Sequence, residues 1–309
     1  MDGLWVLLHV SAFSLLLLLV ATVPASSETS TCRVQDCPNY RTIHYYEDLG
    51  CVRSDGSSEC CPTRFDCNSL LSLDKTKCHL DGKAYEDGAW NDGSTSECTP
   101  GCVCQSHEEG PWKGDAHWAC LPPGFVQYLL PEGKESVCYP SFRVDQDCFA
   151  GIICANDTKS PRNVTQCTYE GKTFLEGQVI HGTVSECQRC VCQKGYDGTL
   201  KGPWCSRPSC GYRLTWPISQ LRTCAPLYSE ENKCCTYEFH CPSAEDFVVR
   251  RSESSTANEG DQCSFGDHKL KIGDELLSTG GKCIKCSCDI PPFITCEKLP
   301  DSYCPTTKK

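Results

Sequence analysis

Apolar residues dominate the chain in one place only. Positions 4–23, LWVLLHVSAFSLLLLLVATV, are almost wholly apolar. Beyond them the apolar positions come in short stretches broken by Gly, Pro and charge. No segment sustains a period of about 3.6 residues, which predicts few helices. Short β-favouring runs flank Asp-Gly in LDGKAY (80–85), a strong signal for a two-residue hairpin. YEGKTF (169–174) fills the same kind of slot.

The opening run reads as a secretory signal peptide over residues 1–25. Val23 and Ala25 supply the small residues of a cut before Ser26, and His9 interrupts the run. Asp2 and the absence of Lys or Arg ahead of the run depart from the pattern. The alternative is a retained anchor, since the run is just long enough to span a bilayer. No second span is expected in the mature chain.

Cysteine changes the picture next. The 309 residues hold 30 cysteines, all after residue 31. An even count in an oxidising compartment reads as a disulfide framework. Cross-links then stand in for a large core: closing a loop of ~15 residues stabilises by ~3 kcal/mol in the chain-entropy model.

The cysteines repeat. Cys78 to Cys98, Cys167 to Cys187 and Cys263 to Cys283 are equally spaced, and each leads into a close triplet: CTPGCVC, CQRCVC and CIKCSC. Glycines recur after each first cysteine (Gly82, Gly171 and Gly266; then Gly88, Gly177 and Gly273), as do Tyr85, Phe174 and Leu270. Each unit should therefore open with a hairpin carrying one inward apolar residue. A second order, Cys205, Cys210, Cys224, Cys234-Cys235 and Cys241, is repeated near the start by Cys32, Cys37, Cys51, Cys60-Cys61 and Cys67. This divides the chain into a partial unit 32–67 (a second half), units 78–154 and 167–241, a flexible linker 242–262, and a partial unit 263–304 (a first half).

The ten-cysteine pattern of 167–241, with EGKTFLEG and GPWC (202–205), resembles the von Willebrand factor type C domain of chordin-like and crossveinless-like extracellular proteins. The resemblance implies a small, disulfide-rich, mainly β fold, with modules of short hairpins and little helix arranged as beads on a string. It also implies Cys167–Cys192, Cys187–Cys234, Cys190–Cys205, Cys210–Cys235 and Cys224–Cys241. In the unit 78–154 it implies Cys78–Cys104, Cys98–Cys148, Cys102–Cys120 and Cys138–Cys154. That unit lacks two cysteine positions that pair with each other in the family, and the even count survives. At the ends it implies Cys37–Cys61, Cys51–Cys67, Cys263–Cys288 and Cys286–Cys296. Cys32, Cys60, Cys283 and Cys304 then lack family partners; local pairing is expected, an intermolecular bridge being the alternative.

Candidate chemistry is sparse. The triplets do not form a zinc site, which needs two separated ligand pairs and reduced thiols. No HExxH or GxSxG occurs, the histidines are scattered, and neither enzyme activity nor a cofactor is expected. A net charge of −11 argues against nucleic acid or anionic lipid as the main partner and suits a basic protein, a growth factor among the candidates. The same charge also serves solubility. The oligomeric state is not legible. Asn156 and Asn163 are N-glycosylation acceptors. Trp112, Trp118, Trp204 and Trp216 are candidate binding residues, because aromatics are enriched at hot spots; the competing role is to fill the small cores. Lys113-Gly114-Asp115 is a weak match to an integrin-type motif, and Arg250-Arg251 is either a processing site or a solvated pair.

The resemblance implies a secreted regulator that binds bone morphogenetic or transforming growth factor-β class proteins, or matrix. Two other readings stand beside it. A pacifastin-like protease inhibitor would need a reactive loop at 297–303, EKLPDSY. A venom, salivary or immune secretion would be distinguished by its site of expression.

Overall fold

In this computed structural model the described residues are 34–54, 60–91, 101–120, 137–144, 149–154, 163–180, 187–229, 234–236, 238–250, 262–278 and 283–300. They form short antiparallel hairpins and four short α-helices: α1 Tyr40–Asp48, α2 Asn68–Leu71, α3 Tyr212–Thr215 and α4 Ile218–Thr223. The fold is small-module, disulfide-rich and mainly β.

The hairpins follow from the turn chemistry. Cys78–Leu80 pairs with Lys83–Tyr85, and Gln166–Tyr169 with Lys172–Leu175. The turn residues Asp81 and Gly82 have φ of 48° and 73°, and Glu170 and Gly171 have 48° and 76°. Two successive positive φ values define the turn whose twist suits a two-residue hairpin. In the last unit Gln262–Phe265 pairs with His268–Lys271, and there the glycine, Gly266, takes the first turn position.

Three-stranded sheets follow the first two of these hairpins: Trp90–Asn91, Cys102–Ser106 and Ala116–Cys120; then Val179–Ile180, Arg189–Val191 and Cys205–Ser206. Disulfides staple opposed strand positions. Cys102 lies opposite Cys120, Cys138 opposite Cys154, Cys190 opposite Cys205, and Cys286 opposite Cys296. Each of these pairs is bonded, with Cα atoms 3.9–4.0 Å apart.

The modules interlock, in place of beads on a string. The N-terminal half-unit does not build its own core. Ile43, Tyr45, Tyr46, Leu49, Phe65 and Leu70 share one buried cluster with Tyr212, Ile218 and Leu221 of the third unit and Ile290 of the last. Asp48 receives a two-pronged ion pair from Arg207, at 2.6 and 3.0 Å. The Arg222 guanidinium caps the carbonyls of Leu70 and Leu73. Leu214 of α3 packs on the core of the second unit.

The two incomplete ends meet. The Tyr46 hydroxyl lies 2.7 Å from the Ile290 carbonyl and 3.1 Å from that of Phe293, and accepts the Phe293 amide at 2.7 Å. The Phe65 amide donates to the Pro291 carbonyl. Arg41 pairs with Glu297, and Thr42 bonds Thr295. The second half at the N-terminus thus docks on the first half at the C-terminus.

A six-stranded sheet joins the third unit to the last. Its order is Phe239–His240, Ala225–Tyr228, Thr295–Lys298, Ile284–Ser287, Glu275–Ser278, Asp246–Val249. Ala225–Tyr228 and Thr295–Lys298 run parallel, and the other neighbours are antiparallel. The expected linker 242–262 therefore contains an edge strand, Asp246–Val249. Asp246 anchors it: its carboxylate bonds His240 at 2.9 Å and the Ser243 amide at 2.8 Å. A buried carboxylate with those partners holds the chain in place.

Candidate binding surface and inter-module groove

Eleven disulfides join described residues: 37–61, 51–67, 78–104, 102–120, 138–154, 167–192, 190–205, 210–235, 224–241, 263–288 and 286–296. Cys60 and Cys283 are disulfide-bonded as well. Cys32, Cys98, Cys148 and Cys304 lie outside the described residues, and with them the expected Cys98–Cys148 bridge.

Cys187 and Cys234 correct the expected pairing. They carry no disulfide and stand as neighbouring thiols, Cys187 buried. The Cys187 contact comes first and burial second in pushing the Cys234 thiol well above its usual range. Cys187 sits at φ 54°, a left-handed backbone that a side chain rarely adopts. The position that the resemblance assigns to a bridge is held by hydrogen bonding. The sulfurs of Cys37, Cys60 and Cys61 gather within 4.8 Å, but all three are in disulfides and offer no thiolate to a metal.

The expected binding tryptophans serve mostly as core. Trp118 is buried, edge-on to Tyr85 at 5.1 Å, and its indole N–H donates to the His79 carbonyl. Trp204 is partly buried against Tyr196 and donates to the Thr199 carbonyl at 2.8 Å. Trp216 packs on Phe239 at 5.0 Å. Trp112 is partly buried in the 107–115 turn. Among the described residues the exposed aromatics are Trp90, at 57%, and Phe247, at 44%. Trp90 lies on a two-residue edge strand whose other residue, Asn91, points inward. Nothing in the local sequence separates Trp90 from the core tryptophans. Its position follows from the pairing of its strand with Cys102–Val103.

Asp115 of the Lys-Gly-Asp stretch is 1% exposed and is bound to Lys75 at 3.2 Å. Its carboxylate is therefore not displayed to a receptor. Asn163 is exposed, and Asn156 lies outside the described residues. Arg250 is exposed, and Arg251 lies outside. Two of the seven residues of the stretch proposed as a reactive loop, Glu297 and Lys298, belong to an interior strand of the six-stranded sheet.

A groove of about 490 Å³ opens where the second and third units meet. Phe142, Val144, Ile153 and Val191 give it an apolar floor, and Arg143 and Glu176 bring both signs of charge. The joint is rigidly made. The Phe142 amide donates to the Gly177 carbonyl at 2.8 Å, and the Tyr139 hydroxyl to the Glu176 carbonyl at 3.1 Å. The Arg189 guanidinium lies 5.3 Å from the centre of the Phe142 ring. Gly177 has φ +83°, and a Cβ there would come within 2.6 Å of the Ser141 Cβ.

No helix among the described residues is long and apolar enough to cross a membrane. No family model matches the chain, and no solved structure matches it. The chain is similar to the von Willebrand factor C and EGF domain-containing protein of Mus musculus, 24% identical over 280 residues. That match covers 74% of this chain and 25% of the mouse protein, so the chain spans about a quarter of its relative. The distant, partial likeness and the stapled hairpins together support a von Willebrand type C-like relationship and point to an extracellular protein.

Proposed function

We propose that this chain is a secreted regulatory protein that binds another extracellular protein and has no catalytic role. One observation carries the reading: disulfide-fixed hairpins hold exposed apolar side chains, above all Trp90, on backbone that is already ordered. Such a surface binds without a large ordering cost, and tryptophan is a preferred anchor. The net charge of −11 suits a basic partner, and a growth factor of the bone morphogenetic or transforming growth factor-β class is the first candidate. The test is binding of the purified secreted chain to an immobilised panel of these factors. Nanomolar binding to one of them, weakened at least tenfold by Trp90→Ala at unchanged melting temperature, is expected. If no panel member binds below micromolar concentration, the growth-factor assignment fails.

A further inference from the structure

The six-stranded sheet ends on one side in a strand that is left open. Asp246–Val249 pairs with Glu275–Ser278 at four consecutive positions without a bulge. No other strand among the described residues pairs with its outer edge. An open edge presents unpaired N–H and C=O groups, and native sheets blunt such edges with Pro, Lys, bulges or brevity. The opposite edge, Phe239–His240, is only two residues long. Asp246–Val249, of sequence DFVV, is longer and carries neither Pro nor Lys. Its one charge is already satisfied within the chain, where the Asp246 carboxylate meets His240 and the Ser243 amide.

The edge is also apolar on both faces. Side chains alternate along a strand. Val248 lies in register with Leu276, Cys286 and Cys296, all fully buried, and so faces the core. Phe247 lies in register with Leu277, Lys285 and Glu297 on the outer face, and is exposed. Farther along, α1 covers that outer face through Arg41–Glu297 and Thr42–Thr295, and the cover stops short of Phe247. Opposite charges flank the strand: exposed Glu245 in the turn before it, and exposed Arg250 just after it.

We propose that Asp246–Val249 is a self-association surface, paired antiparallel with the same strand of a second copy of this chain. The end charges select the occupant and its direction. An antiparallel second copy sets its Arg250 beside Glu245, and by symmetry does so twice, whereas a parallel one would set like charges together. A two-fold axis normal to the sheet keeps each face on its own side, so it lies level with a residue rather than between two. Level with Val248, it places Phe247 opposite Val249 of the second copy, twice, which covers the exposed ring with apolar surface. It also keeps Arg250 within the paired stretch, at the acidic start of the other strand. Five residues a side is far less than the roughly 20–30 of a standard interface, so the dimer is weak, with micromolar affinity. This surface is separate from Trp90, which lies in the second unit.

The experiment is analytical ultracentrifugation of the full secreted chain from micromolar concentration to about 0.1 mM. A concentration-dependent monomer–dimer equilibrium is expected. Phe247→Lys should weaken it at least tenfold at unchanged melting temperature, since a lysine blunts the edge and the replaced ring is exposed. Arg250→Glu should weaken it several-fold, and the swapped pair Glu245→Arg with Arg250→Glu should restore it. Trp90→Ala should leave it unchanged. A chain that stays monomeric throughout overturns the proposal, as does a dimer indifferent to Phe247→Lys and Arg250→Glu. If Phe247→Lys does not fold, amide hydrogen exchange of the unmodified chain decides. Protection that rises with concentration within 246–250 supports the edge, and protection that rises only elsewhere overturns it.

Discussion

At the scale of single residues, a few buried polar atoms hold distant segments together. The Tyr46 hydroxyl alone meets two carbonyls and an amide of the last unit. Removing it strands buried backbone groups, which costs about 1–3 kcal/mol each. Tyr46→Phe should accordingly lower stability by at least about that amount in urea unfolding. Asp246 makes a second such contact. Burial raises its pKa, but the Ser243 amide, Ser278 and His240 outweigh that and hold the carboxyl below its usual range. A depressed carboxylate contributes stability that is fully present above its unfolded pKa, about 3.9, and is lost as pH falls through the folded value. Melting temperature should therefore drop below about pH 4, and Asp246→Ala should lower it at neutral pH while flattening the acid decline. Cys234 offers a third check. A raised thiol pKa means little thiolate at pH 8, so iodoacetamide should label Cys234 more slowly than an ordinary exposed cysteine. Buried Cys187 should stay unlabelled until denaturation.

At the scale of elements, legibility depends on how local the cause is. The two-residue turns were readable because Asp-Gly and Glu-Gly carry the backbone preference in the residues themselves. Helix α1 was not. Thr42, Ile43, His44, Tyr45 and Tyr46 are buried in succession, because the helix is packed on several sides. The helix is only nine residues long, about two and a half turns, too short to sustain a helical period along the sequence. The edge strand Asp246–Val249 was hidden differently, within a charged and Ser-rich stretch whose order comes from pairing with Glu275–Ser278. The joint between the second and third units rests on Gly177. Its repeated place among the glycines was legible, but its contact with Ser141 was not. Gly177→Ala should loosen this joint, seen as faster amide hydrogen exchange across 138–142, while exchange in 262–278 stays unchanged.

At the scale of the whole molecule, the half-units at the two ends explain each other. Each lacks the half that the other supplies, and they meet through Tyr46, Phe65 and the 290–293 segment. A chain lacking residues 34–67 would uncover Tyr212, Ile218, Leu221 and Ile290 together. It should be retained in the secretory pathway or bind a hydrophobic dye, whereas Trp90→Ala should be secreted normally. The interlocked arrangement also places the candidate surface. Core demand consumes Trp118 and most of Trp204 and Trp216, and leaves Trp90 outside. By itself the sequence determined the stapled hairpins, the repeat and the acidic surface, because turn residues, cysteine spacing and charge act locally or are simply counted. The tertiary structure alone decided which half-unit meets which, which tryptophan faces water, and that His107 and His117 stack. Those outcomes depend on burial shared among segments far apart in the chain, which no local pattern records.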